Sequence, residues 1–407
     1  LKIKKMTILV LNCGSSSVKY QLFNMAEESE VIAKGIVEKV GFNDAIVKHK
    51  PTGKAKYSEE TAIPDHTIAI NKVLSLLTDE EHGVIKDVKE IKGVGHRVVQ
   101  GGETYQESVL ITKEVIKDIE ANIDLAPLHN PANLKGILSL QNLLPGVPQV
   151  AVFDTSFHQT MPPYAYNYAI PREYYKKYKI RKYGYHGTSH KFVSREASKV
   201  IGKDTRNMKV ITCHLGNGAS IDAIEYGKSV DTSMGFTPVD GLIMGTRTGD
   251  IDPGVLLYLA DKEHLSLKGI SNVINKTSGM KGISGISSDM RDLELAYYEG
   301  NEMAALALTM YAYRVKKFIG AYAAIMNGLD AILFTGGVGE NDFNIRRMIC
   351  QNMEYMGIIF DEVANHGIKG QDRVITKPES NVIGAVVRTN EELLIASDAY
   401  KIIEKCV

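Results

Sequence analysis

The stretch TILVLNCGSSSVKYQLF, residues 7–23, decides how the chain is read. An apolar run meets Asn12, a glycine and three serines, and apolar and polar residues then alternate from Ser17 onward. Glycine and hydroxyls after a strand suggest a phosphate cradle. A Walker A loop would need a second glycine and a Lys-Ser/Thr ending, and it would open a helix. Here both are missing, and the alternation after Ser17 is that of a second strand. The unit is therefore strand, turn, strand, with Gly14 allowing a tight hairpin.

The same unit recurs. KVITCHLGNGASIDAIEYGKSVDTS, residues 209–233, again runs from an apolar strand through a Gly/hydroxyl turn into an alternating strand. Setting Ser220 beside Ser17 and Ile221 beside Val18 aligns the two units, about half the chain apart. A third strand-to-glycine turn lies at AILFTGGVGEN, residues 331–341. Single turns of this kind are common, because glycine supplies the positive φ of tight turns. Three after apolar strands, two of them alike, point to a duplicated nucleotide-clasping architecture. Helical spacing in TKEVIKDIEANIDLA (Val115, Ile116, Ile119, Ile123) and a short buried strand in QVAVFDTSF add the alternation of an α/β protein.

Bulk properties narrow the function classes. The 407 residues are 44% apolar and 24% charged with zero formal net charge, enough for two or three ordinary globular domains. No overall field favours nucleic acid or a membrane surface, so anions must be met by placed arginines and backbone N–H groups. Cys13, Cys213, Cys350 and Cys406 are scattered, which argues against disulfides and thiolate metal sites and fits a reducing cytoplasm. The LKIKK ahead of Met6 is charged, too short for a signal peptide, and reads as an alternative start or an added segment. The apolar stretch from Met303 to Met326 is broken by Arg314, Lys316 and Lys317 and reads as buried helices.

Polar clusters lie between these elements. GHRVVQGGE sets His96 and Arg97 at the end of a strand-like run, where a guanidinium fork suits a carboxylate or phosphate. LAPLHNPAN holds His129 and Asn130 in a proline-pinned loop. Asp154 ends a buried strand, the place where open α/β sheets bind ligands; helix capping by Asp154 or Thr155 competes with a metal or base role. His186 and His190 are spaced i, i+4, without the HExxH glutamate or third ligand of a zinc site. Phosphate contact by one of them stands against a satisfied buried histidine. Arg247 lies between glycines, as suits an oxyanion. Glu391 and Glu392 begin an apolar run, where helix polarity alone favours acids. With no nucleophile–base pair, the inventory suits phosphoryl transfer.

The successive segments LNCGSSSVKY, GHRVVQGGE, APLHNP, FDTSFHQTMPP, YGYHGTSH, HLGNGASI, TSMGFTPVDGLIMGTRTGDIDP, GGVGEN and TNEE resemble the signatures of the acetate kinase family, in the family's order and over nearly the whole chain. The resemblance implies two domains of duplicated ribonuclease-H-like, actin-like ATPase topology with a cleft between them. Residues 6–154 with 392–407 would form the first and residues 155–391 the second, the latter making a homodimer. It implies reversible transfer of the ATP γ-phosphoryl group to acetate, giving acetyl phosphate and ADP, with Mg²⁺ (Mn²⁺ able to substitute), in the cytoplasm and without nucleic acid or membrane. Arg97 and Arg247 would bind the carboxylate and the phosphoryl group, His186 would stabilise the transition state, and Asp154 would be the essential acid. Asn12 and Glu391 would hold the metal. Ser15, Ser17, Lys19 and the run His214, Leu215, Gly216, Asn217, Gly218 would face the ATP phosphates. Asp289, Met290, Arg291 and Gly337, Val338, Gly339, Glu340, Asn341 would surround the adenosine. His129 would sit in the acetate site, with Val99, Leu128, Tyr185 and Pro238 around the methyl group. Gln100 stands where the family often has histidine, and Tyr185 where it often has phenylalanine. Loss of Arg97 or Arg247 is expected to lower turnover severely without unfolding the chain. The alternatives are a propionate or butyrate kinase of the same family, or an actin- or Hsp70-like ATPase, which would have no use for the acid-site set.

Overall fold

The predicted hairpin is present. In a computed structural model, which describes residues 6–26 and 29–406, β1 (Met6–Gly14) and β2 (Ser17–Met25) pair antiparallel from Met6 opposite Met25 to Gly14 opposite Ser17. The LKIKK stretch lies outside the described residues. The turn itself is Ser15–Ser16, and neither these serines nor Gly14 has a positive φ. Gly14 therefore serves by its missing side chain: a Cβ there would stand 3.0 Å from Ser17 Oγ.

The chain forms two units. One is Leu1–Phe157 with Asn390–Val407, and the other is His158–Thr389. In the first, β3 (Glu30–Glu38), β4 (Phe42–Pro51), β5 (Tyr57–Ile63), β6 (Ile91–Val98), β7 (Val109–Leu110) and β8 (Gln149–Phe153) complete a sheet ordered β5-β4-β3-β2-β1-β6-β8-β7. Side chains alternate across it. Leu9, Leu11, Cys13, Val18 and Tyr20 join residues of the helices His66–Leu77 and Asn130–Leu143 in one core. Ile8, Val10, Val150 and Val152 join Ile395, Ala399 and Ile403 of the C-terminal helix Glu391–Glu404 in another.

The second unit repeats the plan. Strands β9 (Lys209–Leu215), β10 (Ala219–Glu225), β11 (Lys228–Thr232), β12 (Ala331–Thr335), β13 (Arg373–Val374) and β14 (Ile383–Val386) are ordered β11-β10-β9-β12-β14-β13. Its core order β11-β10-β9-β12-β14 matches β3-β2-β1-β6-β8, and the parallel pairs β1/β6, β6/β8, β9/β12 and β12/β14 fall at equivalent places. This is the duplicated ribonuclease-H-like topology. Val18 opposes Cys13 and Ile221 opposes Cys213, so the second hairpin matches the first with a longer connection. The stretch expected to form buried helices is one helix, Glu302–Ile325, apolar on one side and carrying exposed Leu306 and Tyr313 on the other. Among the described residues no helix is long and apolar enough to cross a membrane.

Candidate active site

In the first unit the candidate residues collect at one end of the sheet because of strand parity. Asn12 follows Ile8 and Val10 on β1, Arg97 follows Gly93 and Gly95 on β6, and Asp154 follows Val150 and Val152 of β8. All three therefore belong to the face covered by the Glu391–Glu404 helix. The two glycines let that helix lie close. A Cβ at Gly93 would overlap Ile403 Cδ1, and one at Gly95 would stand 2.6 Å from Ile395 Cγ2. The helix then delivers Glu391, in its first turn, to Arg97. Gly95→Ala should accordingly cost about 1–3 kcal/mol of stability by overpacking, read by urea unfolding, and should lower turnover by displacing Glu391. Unchanged stability and turnover would show that the close approach is unimportant.

Arg97 holds two carboxylates. Its Nη2 donates to Asp154 Oδ2 at 2.5 Å and its Nε lies 3.7 Å from Glu391 Oε2. Asp154 is 1% exposed. Its carboxylate is thus paired with Arg97. Burial works against the Arg97 charge, yet Asp154 and Glu391 outweigh it and raise its pKa. Two acids on one cation leave a surplus negative charge, and it falls on Glu391. Burial first, then Asp154 and Glu392, push its pKa up to about 7 against the pull of Arg97 and Lys19.

That shift has a stability consequence. An acid whose folded pKa is raised costs nothing below its unfolded value near 4.5 and destabilises increasingly as pH rises toward about 7. Glu391→Gln removes this cost, so the ligand-free variant should be more stable than the parent by about 2 kcal/mol at pH 8. At pH 4.5 the two should melt together. A thermal-melt difference that is the same at both pH values would disprove the assignment.

The other acid-site candidates are more dispersed in character. Val99 is buried, and Leu128 is 72% exposed just before the Asn130–Leu143 helix. His129 is the N-cap of that helix, with Pro131 in its first turn, so the proline-pinned loop of the sequence reading is a helix start. Gln100 is wholly buried; its Oε1 accepts from Gly102 N–H, while its Nε2 has no partner. In the second unit Tyr185 is buried with its hydroxyl donating to the Phe236 carbonyl at 2.9 Å, a bond that phenylalanine could not make. Pro238 is half-buried, and its carbonyl accepts from Arg247 Nη1 at 3.1 Å.

The second unit sorts its histidines by role. His190 is fully buried between Thr212 Oγ1 (2.7 Å) and Ser220 Oγ (2.8 Å), and burial holds its pKa well below the usual histidine value. It is the satisfied core member of the i, i+4 pair. His186 caps the helix Gly187–Ile201 in the left-handed region, φ 55°, with Nδ1 2.8 Å from the same Ser220 hydroxyl. Its ring stacks on His214, centroids 4.3 Å apart, and His214 Nδ1 is 2.8 Å from Ser189 Oγ. The turn Gly216–Gly218 meets this group: a Cβ on Gly218 would be 3.5 Å from Arg247 Nη1 and 3.6 Å from His186 Nε2. Arg247 has no carboxylate partner among the described residues, and burial lowers its pKa.

A cavity of about 720 Å³ lies in the same unit. Gly216, Asn217, Asp289, Met290, Arg291, Gly337, Val338 and Asn341 line it. Glu340 does not: its Oε1 accepts from Gly336 N–H, Thr335 Oγ1 and Thr389 N–H and anchors the strand-to-helix turn. Asp289 caps the helix Met290–Tyr298 and is gripped by Arg291, which lowers its pKa to about 2. Sequence reasoning missed Tyr311, Asp342, Phe343 and Lys369 on the wall. Asp342 directly follows GGVGEN and could have been found; Lys369 stands in no recognisable pattern.

Known proteins provide the comparison. The model of the acetokinase family matches residues 7–397. An acetate kinase of Parabacteroides distasonis is 55% identical over 400 residues, covering 98% of this chain and 100% of that protein. The crystal structure of Porphyromonas gingivalis acetate kinase matches with a TM-score of 0.95 at 53% identity, covering 98% of this chain and 100% of the other. A propionate kinase from Francisella tularensis matches with a TM-score of 0.90 at 42% identity over the same shares.

Proposed function

The chain belongs to the acetokinase family, and from that premise we propose that it transfers the γ-phosphoryl group of ATP reversibly to acetate. One observation carries the reading beyond family membership: Arg247, a half-buried guanidinium without a counter-charge among the described residues, lies with His186 against a glycine turn. Such a group is an expense to the fold unless an anion is to be met there.

An acetate oxygen attacks the γ-phosphorus, a new P–O bond forms, and the bond to the β–γ bridging oxygen breaks with ADP leaving. Acetate is ionised at neutral pH, so no base is required. The chain's task is to overcome repulsion between anions. Arg247 and His186 neutralise the equatorial oxygens in flight. When Ser220 donates to His186 Nδ1, the neutral ring offers Nε2–H to the phosphoryl group. Arg97 Nη1 remains for the acid carboxylate, and the cavity of the second unit takes the adenosine. The surplus negative charge on Asp154 and Glu391 would repel acetate. It fits a divalent cation, and carboxylate and carboxamide oxygens are the donors Mg²⁺ favours. Asn12 and Glu391 would hold Mg²⁺, which supplies charge neutralisation to the phosphates when bound.

Val99 fills space that propionate would need, so acetate should be preferred by a factor on the order of 10 or more in kcat/KM. The test is ADP release with hydroxylamine trapping of acyl phosphate, run with acetate, propionate and butyrate. Acid-independent ADP release would sink the kinase reading, and a propionate preference would move the chain to the second acid. We also assign a homodimer, supported by the Pro253–Lys262 helix, which buries none of its residues and exposes Leu257 and Tyr258. A cytoplasmic location is supported by four cysteines that form no disulfide.

A further inference from the structure

The parallel ladder between β1 and β6 ends at Leu11 opposite His96. Past that point the strands are joined by a side chain. Asn133, 3% exposed, accepts from Val99 N–H through Oδ1 at 3.1 Å and donates from Nδ2 to the Cys13 carbonyl at 2.8 Å. Its carboxamide stands in for a peptide group, satisfying one donor and one acceptor that the ladder has released. One helical turn earlier Asn130, fully buried, treats Gln100 in the same way. Its Oδ1 accepts from Gln100 N–H at 3.1 Å and its Nδ2 donates to the Gln100 carbonyl at 3.0 Å.

The clamped atoms are adjacent to the chemistry. Cys13 directly follows Asn12, and Val99 lies two residues beyond Arg97. The next carbonyl on β1, that of Gly14, is taken by His66 Nε2 at 2.7 Å, so both carbonyls at the root of the hairpin turn are captured by side chains. We propose that Asn133 is a positioning residue for phosphoryl transfer, its carboxamide setting the separation between the strand end that carries Asn12 and the one that carries Arg97 and Val99. The inference rests on the acid-kinase reading above. Neither partner atom is replaceable at this place. Aspartate would set a second acceptor against the Cys13 carbonyl, and leucine would leave both backbone groups unsatisfied. A misplacement well under the length of a bond is enough to matter, because the attacking and leaving oxygens must be in line.

The experiment compares Asn133→Asp and Asn133→Leu with the parent chain, with Asn133→Ser added as the variant least demanding on folding. Acyl hydroxamate formation is measured with varied acetate, ATP affinity by calorimetry, and folding by thermal melts. A positioning role predicts kcat/KM for acetate lowered roughly 10–100-fold in folded variants. ATP affinity should fall less than kcat/KM for acetate, since the cavity residues belong to the other unit. A merely structural role would lower the melting temperature and leave the kinetics of the folded fraction alone. Kinetics within about twofold of the parent in any folded variant would overturn the positioning role while the kinase reading stood. A parent chain that forms no acetyl hydroxamate would overturn the kinase reading and this inference with it.

Discussion

Arg247→Ala should lower kcat by roughly 10²–10³-fold or more while leaving the melting temperature within about 2 °C of the parent. Among the described residues the guanidinium bonds only to the Pro238 carbonyl and, at 3.4 Å, to Met244 Sδ, and burial lowers its pKa. The fold therefore gains little from the charge, and its removal relieves a desolvation cost. The transition state loses the most, because three equatorial phosphoryl oxygens then lack their placed counter-charge. Arg247→Lys should recover only part of the rate, since an ammonium cannot reproduce the planar fork. Steady-state kinetics at saturating ATP and acetate decide the matter. Retention of more than about a tenth of the parent kcat would remove Arg247 from the reaction.

Arg97→Ala should behave differently, with turnover and stability both collapsing. The substitution removes the guanidinium that bonds the almost wholly buried Asp154 and lies 3.7 Å from Glu391. Breaking a buried ion pair by removing one partner costs about 3–5 kcal/mol. The resemblance to known kinases predicts an intact fold for both arginine variants, and the ion pairs separate them. The deficit should shrink as pH falls toward 5, because protonation of the two acids relieves their repulsion. Adding Asp154→Asn to Arg97→Ala should restore part of the stability and none of the activity. Urea midpoints at pH 8 and pH 5 provide the measurement. A small or pH-independent deficit would mean that solvent or another cation already screens the pair.

The contrast between the arginines was not legible in the sequence. Each occurs in a glycine-rich segment after an apolar run, and each suits an anion. Among the described residues Arg247 meets no acid: it is flanked by Thr246 and Thr248, and its guanidinium reaches the Pro238 carbonyl and Met244 Sδ. Arg97 meets Glu391, an acid from the far end of the chain that helix polarity alone would explain. His190 and Glu340 teach the same lesson in reverse. Both stand in segments that carry chemistry, and both are spent on holding the fold. Asn133 carried no signal, because a buried asparagine is recognisable only by the backbone groups it finds.

What the sequence by itself determined is local: the two hairpins, the glycine turns, the strand ends where Arg97 and Asp154 stand, and the family. The hairpins, turns and strand ends follow from periodicity and turn chemistry, which act over a few residues, and the family follows from the resemblance of the successive segments. Only the tertiary structure decided which charges are already matched. The Glu391–Glu404 helix lies down on Gly93 and Gly95 and brings its first-turn acid to Arg97, whereas among the described residues no acid is brought to Arg247. That difference depends on which surfaces are small enough to approach each other, and packing over the whole chain sets it.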